Sequence, residues 1–244
     1  MKIIVTKDLE ELSSQAANLI IEQIRTKPNS VIGLPTGRTP VLMYQKLVQA
    51  YQTSQVSFAQ VKTFNLDEYV GLSRTSLDSF YAYMKKNFFD HVDIKQENIF
   101  VLDGLATNLA DECVNYERQL ESYGGMDLAV LGIGKDGHIG FCEPGVSWES
   151  RTMVINLDKS TLQSNADGLV DLDKVPERAL TMGLGTIMEA KKIMLLASGV
   201  SKQEIVAKAL KEKPTEKVPA SILQTHTELT VILDEAAAGT TKFS

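Results

Sequence analysis

Short apolar runs of strand length, separated by amphipathic segments of helix length, recur along this chain of 244 residues and restrict its fold more than any other feature. Met1–Val5, Val31–Leu34, Val61–Asn65, Asn98–Leu102, Leu128–Gly132, Ile193–Ala197 and Leu229–Leu233 read as strands. The first helix opens at Asp8 with Glu11 three residues on, a capping-box pattern. Leu9, Leu12, Ala16, Leu19, Ile20 and Ile24 follow at helical spacing, and Pro28-Asn29 ends it. Further helices are predicted over 40–51, 77–89, 108–122, 179–190 and 201–211. Strands that are apolar on both faces need cover on both. The pattern therefore predicts an α/β fold: a mostly parallel sheet with helices on both faces, a three-layer α/β/α arrangement of modified doubly wound type. No repeat, low-complexity tract or Pro/Ser linker divides the chain, so residues 1–244 read as a single domain. Ser150–Glu177 is more polar and weakly periodic, with Gly168 and Pro176 as breaks. It reads either as a lid segment near 150–177 or as a surface insertion.

Composition narrows the partners. The net charge is −6, from 25 basic and 31 acidic residues spread along the chain, which argues against nucleic acid or an anionic membrane as the main partner. Cys113 and Cys142 have neither pairing rhythm nor zinc spacing, as expected in a reducing compartment. The opening MKIIVTKDLEEL lacks a signal-peptide core, and no apolar run approaches the ~20 residues of a membrane helix. A cytoplasmic location is the expectation.

Ligands of open parallel sheets sit beyond the carboxyl ends of the strands, which directs attention to the loops that follow them. After Val31–Leu34 comes Pro35-Thr36-Gly37-Arg38-Thr39-Pro40. Thr39 is placed to cap a helix begun by Pro40, and free N–H groups with Thr36, Gly37 and Arg38 suit a phosphate. The alternative is an ordinary strand-to-helix turn; the lysine and spacing of a Walker loop are missing. After Val61–Asn65 come Leu66-Asp67-Glu68-Tyr69, two adjacent carboxylates that are costly at a strand end unless one has a task or a partner. Asp67 suits a general base for carbon-acid chemistry; alone, the pair would read as a solvated acidic turn. After Leu128–Gly132 runs IGKDGHIGFCEP, where Asp136 and Glu143 flank His138 and can orient and tune an imidazole. The glycines of this loop, Gly134 among them, allow the backbone to turn tightly beside a ligand. After Ile193–Ala197, Ser201 and Glu204 form a second capping-box pattern, with Lys202 in a first turn that disfavours a cation unless an anion binds there.

Taken together, these stretches resemble the glucosamine-6-phosphate deaminase (glucosamine/galactosamine-6-phosphate isomerase) family. LPTGRTP at 34–40, TFNLDEYVGL at 63–72, LGIGKDGHIGFCEPG at 131–145, SRT at 150–152, ALTMGLGTIMEAKKIMLLASG at 179–199 and PASILQTH at 219–226 carry the likeness, which covers nearly the whole chain. It implies a metal-free, cofactor-free reaction in which glucosamine 6-phosphate and water give fructose 6-phosphate and ammonia. Asp67 would move a proton from C2 to C1. His138 would open the pyranose ring, positioned by Asp136 and Glu143. Thr36, Gly37, Arg38, Thr39, Gly134 and Lys202 would hold the phosphosugar. The residue types agree with that chemistry independently, because an aldose C2–H is acidic only after ring opening. The site therefore needs one proton-transfer group at O1/O5 and a second at C1/C2.

Three departures from the family pattern stand out. Cys142 replaces a common asparagine and is expected to alter tuning only. Ser164–Gly168 lacks the phosphate-binding arginine of many relatives, and Arg38 replaces a usual small residue and can supply the missing cation. Met153 and Ile155 stand where effector-binding relatives carry basic residues, and the C-terminal tail is short, so a monomer without an allosteric effector site is expected. A sugar-phosphate lactonase using His138 as base is one rival reading; a catalytically silent sugar-phosphate sensor is another. His91 is expected to cap a helix C-terminus, His226 to hydrogen-bond structurally, and Trp148 to line a hinge or cover core.

Overall fold

The computed structural model describes residues 1–157 and 176–241. Ten strands occur among them: β1 Lys2–Thr6, β2 Val31–Leu34, β3 Lys62–Asn65, β4 Asp67–Tyr69, β5 Ile99–Phe100, β6 Leu128–Gly132, β7 Met153–Asn156, β8 Arg178–Thr181, β9 Ile193–Ala197 and β10 Leu229–Asp234. The α-helices are α1 Leu9–Thr26, α2 Val41–Gln52, α3 Phe80–Asn87, α4 Leu109–Ser122, α5 Leu184–Met188, α6 Gln203–Lys211 and α7 Glu235–Ala238. None is long and apolar enough to cross a membrane.

Seven strands form a parallel sheet in the order β1-β10-β9-β6-β2-β3-β5. Alternate residues of its strands enter opposite cores, as a period of two requires. Leu128, Val130, Met194, Leu196 and Ile232 pack with α1, α2 and α3, while Ala129, Leu131, Ile193, Leu195 and Val231 pack with α4, α5, α6 and α7. This is the expected three-layer arrangement. From β2 the chain proceeds outward to β3 and β5, and from β6 it proceeds the other way to β9 and β10. The strand order therefore reverses between β2 and β6, the switch point where such sheets open a crevice.

Local chemistry explains where elements begin. Asp8 Oδ1 accepts from Glu11 N at 2.9 Å and caps α1; Glu11 reaches back to Lys7 N at 2.8 Å, one residue earlier than a standard capping box. His91 Nε2 meets the Lys86 carbonyl at 2.9 Å near the end of α3, and His226 Nε2 meets that of Ala190 at 2.8 Å, both structural as expected.

The second sheet departs from expectation. β4, β8 and β7 pair antiparallel, with Asp67 opposite Thr181 and Met153 opposite Thr181 on the other side. The helix expected over 179–190 is thus strand β8 followed by α5, begun at Gly183. Ala179, Leu180 and Thr181 are buried, and tertiary pairing with β4 and β7 overrides their helical propensity. Part of the expected lid is likewise strand β7, and its entry is anchored. Glu117 accepts from Thr152 N, Thr152 Oγ1, Thr186 Oγ1 and Arg151 at 2.5–2.7 Å. Ser164–Gly168 and the rest of that lid between 158 and 175 lie outside the described residues.

Candidate active site

Four neighbouring strands, β9-β6-β2-β3, deliver the four loops that the sequence singled out to one edge of the sheet. β3 ends at Asn65, and after one residue the chain enters β4, so Asp67 stands at the seam of the two sheets. It is 7% exposed, and its Oδ1 accepts no hydrogen bond from the described residues. Burial raises its pKa to about 7, helped by the negative charge of Glu68 and opposed by His138. A carboxyl so placed can take and return a proton near neutral pH.

Glu68 has the partner that adjacent carboxylates call for. Its carboxylate accepts from Tyr69 N at 2.8 Å and from Phe80 N and Tyr81 N at 3.0 Å each, so it closes the N-terminus of α3. Burial lifts its pKa to about 7 despite those three N–H groups and nearby Arg74.

The loop after β6 brings the imidazole. Gly134 N donates to His138 O at 2.9 Å, and His138 N donates to Asp136 Oδ1 at 3.1 Å. His138 Nδ1 lies 2.7 Å from Asp136 Oδ1 and 3.8 Å from Glu143 Oε2. Although burial disfavours the Asp136 charge, the imidazole beside it holds its pKa well below the ordinary carboxylate range. The donor atoms of Asp136, His138 and Glu143 all fall within 4.8 Å of one another, close enough to exchange a proton or to accept a cation. Gly140 joins this loop to Asp67. A Cβ there would lie 3.5 Å from Asp67 Oδ2 and 3.0 Å from Thr181 Oγ1, and its φ of 58° is one that glycine tolerates. Thr181 Oγ1 accepts from Phe141 N at 3.1 Å, tying the loop to the second sheet. Asp67, Asp136, His138 and Glu143 thus converge on one region.

Gly134 needs a correction. Its N–H is engaged by His138 O, so it offers no donor to a ligand. A Cβ on it would fall 2.2–2.5 Å from three atoms of the His138 ring, so the glycine is the seat of the imidazole.

The β2 loop is exposed at Gly37 and Arg38 and half-buried at Thr36 and Thr39. Tyr44 Oη donates to Pro35 O and Tyr83 Oη to Gly37 O, each at 2.6 Å. Among the described residues, the N–H groups of residues 36–39 donate to no backbone carbonyl, so they can face an anion. Thr39 does not cap α2: Pro40 occupies the N-cap position and no side chain closes it. Ser201 does not cap either. Residues Val200–Lys202 form a 3-10 turn, and Asp234 holds that loop through Gly199 N and Ser198 Oγ. Lys202 Nζ instead donates to Ile133 O at 2.6 Å, beside the His138 loop. Burial lowers its pKa, as does Lys135, against the pull of Asp136.

Known proteins resemble this chain over nearly its whole length. The family described as glucosamine-6-phosphate isomerases/6-phosphogluconolactonase matches residues 7–232. The chain belongs to this family. Within it, the chain is 47% identical over 238 residues to a glucosamine-6-phosphate deaminase of Thermoanaerobacter pseudethanolicus, covering 98% of this chain and 94% of that protein. It is also 47% identical to the glucosamine-6-phosphate deaminase of Clostridium novyi, covering 98% and 99%. The solved structure of a monomeric glucosamine-6-phosphate deaminase superposes with a TM-score of 0.95 at 45% identity, covering 98% of this chain and 99% of that one. The 6-phosphogluconolactonase of Trypanosoma cruzi has the same fold at a TM-score of 0.81 and 24% identity, covering 99% and 97%.

Sequence reasoning missed Tyr44, Tyr83 and Thr181. Tyrosines on helix faces read as core, and nothing local marks a hydroxyl aimed at a loop carbonyl. Thr181 was hidden by the helical reading of its strand.

Proposed function

We propose that this chain is an isomerising glucosamine-6-phosphate deaminase that converts glucosamine 6-phosphate and water to fructose 6-phosphate and ammonia. The observation that carries the reading is a desolvated carboxyl, Asp67, beside the loop that bears the Asp136–His138–Glu143 group. His138 moves the O1 proton to O5 and opens the ring, with Asp136 and Glu143 holding the imidazole. Asp67 takes the C2 proton of the open aldose and returns it at C1. The nitrogen leaves C2 as ammonia when water adds to the imine carbon, which becomes the ketone. The amides of residues 36–39, with Arg38 and Lys202, hold the phosphate, and its binding energy keeps the flexible open chain in reactive geometry.

A lactone hydrolase with the same fold needs a base for water and none for carbon, so the environment of Asp67 favours the deaminase. Deaminase relatives at 47% identity support the same choice. The chain acts as one domain over 1–244, in the cytoplasm, as a monomer without an effector site and without metal or cofactor. Support for the monomer is the likeness to a monomeric deaminase. Support for the absent effector site is that Met153 and Ile155 pack against apolar clusters from strand β7.

The test follows ammonia and fructose 6-phosphate released together from glucosamine 6-phosphate, with Asp67→Asn and 6-phosphogluconolactone as controls. Equal release abolished by Asp67→Asn is expected. Lactone hydrolysis without turnover of the amino sugar would reject the reading.

A further inference from the structure

The chemistry above uses neither Glu68 nor Tyr83, yet each is bonded to a segment that the chemistry does use. Glu68 is buried, and a carboxylate withdrawn from water is retained only where fixed donors replace its hydration. Its donors are the amides of Tyr69, in the strand of Asp67, and of Phe80 and Tyr81, the first two residues of α3. Ser79 supplies the remaining leading bonds of that helix: its Oγ accepts from Ala82 N at 3.0 Å and its carbonyl from Tyr83 N at 3.0 Å. The helix is thereby clamped, end-on, to the residue that follows Asp67. Less than one turn farther along, Tyr83 Oη donates to Gly37 O at 2.6 Å. Gly37 sits at a φ of 103°, so the carbonyl that Tyr83 holds belongs to a tight turn, and the amides around it have no backbone partner among the described residues.

We propose that Glu68 and Tyr83 are positioning residues that act through α3 to hold the 35–40 loop in register with Asp67. A phosphate seated at one end of an open-chain sugar then presents the C1–C2 edge to the carboxylate at the other. This inference rests on the functional reading above. It adds a physical link between phosphate binding and the proton-transfer base, carried by one short helix with a carboxylate at its start and a hydroxyl on its side.

The experiment compares wild type, Tyr83→Phe, Glu68→Gln and the double variant. It measures kcat and KM for glucosamine 6-phosphate, the inhibition constant of inorganic phosphate, and thermal melting. Tyr83→Phe removes one hydroxyl from a half-buried ring and leaves folding intact. It raises KM and the phosphate inhibition constant about fivefold, with kcat within about twofold, as loss of one hydrogen bond to the loop predicts. Glu68→Gln loosens both attachments, so it lowers kcat about tenfold and raises KM as well. In the double variant the rise in KM falls short of the product of the single rises, because both act through one element. Unchanged KM and phosphate inhibition in Tyr83→Phe, or a double variant equal to the product, overturns the proposal. If Glu68→Gln does not fold, Tyr83→Phe alone decides. A wild-type protein that neither releases ammonia nor is inhibited by phosphate would instead overturn the functional reading, separately from the variants.

Discussion

Gly134→Ala isolates the seat of the His138 imidazole from the stability of the fold. The added Cβ would stand 2.2 Å from His138 Cε1, 2.3 Å from Nδ1 and 2.5 Å from Cγ. An ordinary carbon contact needs about 3.5 Å, so the ring must retreat by roughly 1 Å or leave its rotamer. Either movement breaks the 2.7 Å approach of Nδ1 to Asp136. The backbone offers no resistance, because Gly134 lies outside the left-handed region that glycine alone occupies comfortably. Ala there even restricts the unfolded chain, by about 0.4–1 kcal/mol where the conformation is compatible. A misplacement of about 1 Å in a positioned catalytic group lowers turnover on the order of 100-fold. The expected result is therefore a kcat about 100-fold down, read by release of ammonia, with a melting temperature within about 2 °C of wild type. Gly132→Ala is the matched control, since a Cβ there meets nothing within 4 Å. If Gly134→Ala keeps kcat within threefold, or both variants lose activity equally, the assignment of Gly134 as the seat of His138 is wrong.

Asp67 links activity to pH and stability with opposite signs. Its pKa rises from 3.8 to about 7 on folding, so between those values the folded chain holds a proton that the unfolded chain has lost, and stability falls as pH rises through that window. In the proposed reaction Asp67 works only when ionised, so kcat/KM should fall below pH 7; Asp67→Asn should abolish turnover yet raise the melting temperature at pH 8, by a free energy of at most about 4 kcal/mol. A lower melting point for Asp67→Asn at pH 8 would contradict this account of the site. The thiol of Cys142 is buried against Met182 O and its pKa is pushed up to about 12, and burial lifts that of Cys113 to about 11. A thiol-specific reagent at pH 8 should therefore label neither in the native protein and both after denaturation. Arg38→Ala should raise KM for the phosphosugar about tenfold with little change in kcat; an unchanged KM would remove Arg38 from the phosphate site.

How far the sequence reached depended on whether a signal was local. Strands β2, β6 and β9 were legible to the residue because each is a short apolar run bounded by loop residues. Asp8 at the head of α1 was legible because capping is a matter of neighbouring atoms. The second sheet was not, since β4 spans three residues and its partner β8 carries a sequence as suitable for helix as for strand. Only the pairing of Asp67 with Thr181 across 114 positions decides it. At the site, Asp67, Asp136, His138 and Glu143 stood out by residue type and by their place after strands. Gly134 did not separate from its neighbouring glycines, because its task depends on where the His138 ring folds back.

That hidden sheet bears on the choice between the two chemistries that this fold supports. The parallel sheet alone brings the 35–40 loop and the His138 loop to its switch point, and the lactonase-named structures at 15–24% identity have the same architecture. What sets the chemistry of a site is the environment of individual groups. Here the chain leaves β3, crosses one residue and starts a strand that buries Asp67 against β8. A solvated aspartate at that strand end would be ionised at neutral pH but too weak a base for a carbon-bound proton. Removing it from water, beside Glu68, raises its basicity by about three pKa units at a cost in stability that the surrounding hydrogen bonds of Glu68 and Thr181 must offset. A fold that needed only a hydrolytic water would have no reason to retain that cost, which is why the seam between the two sheets argues for proton transfer at carbon.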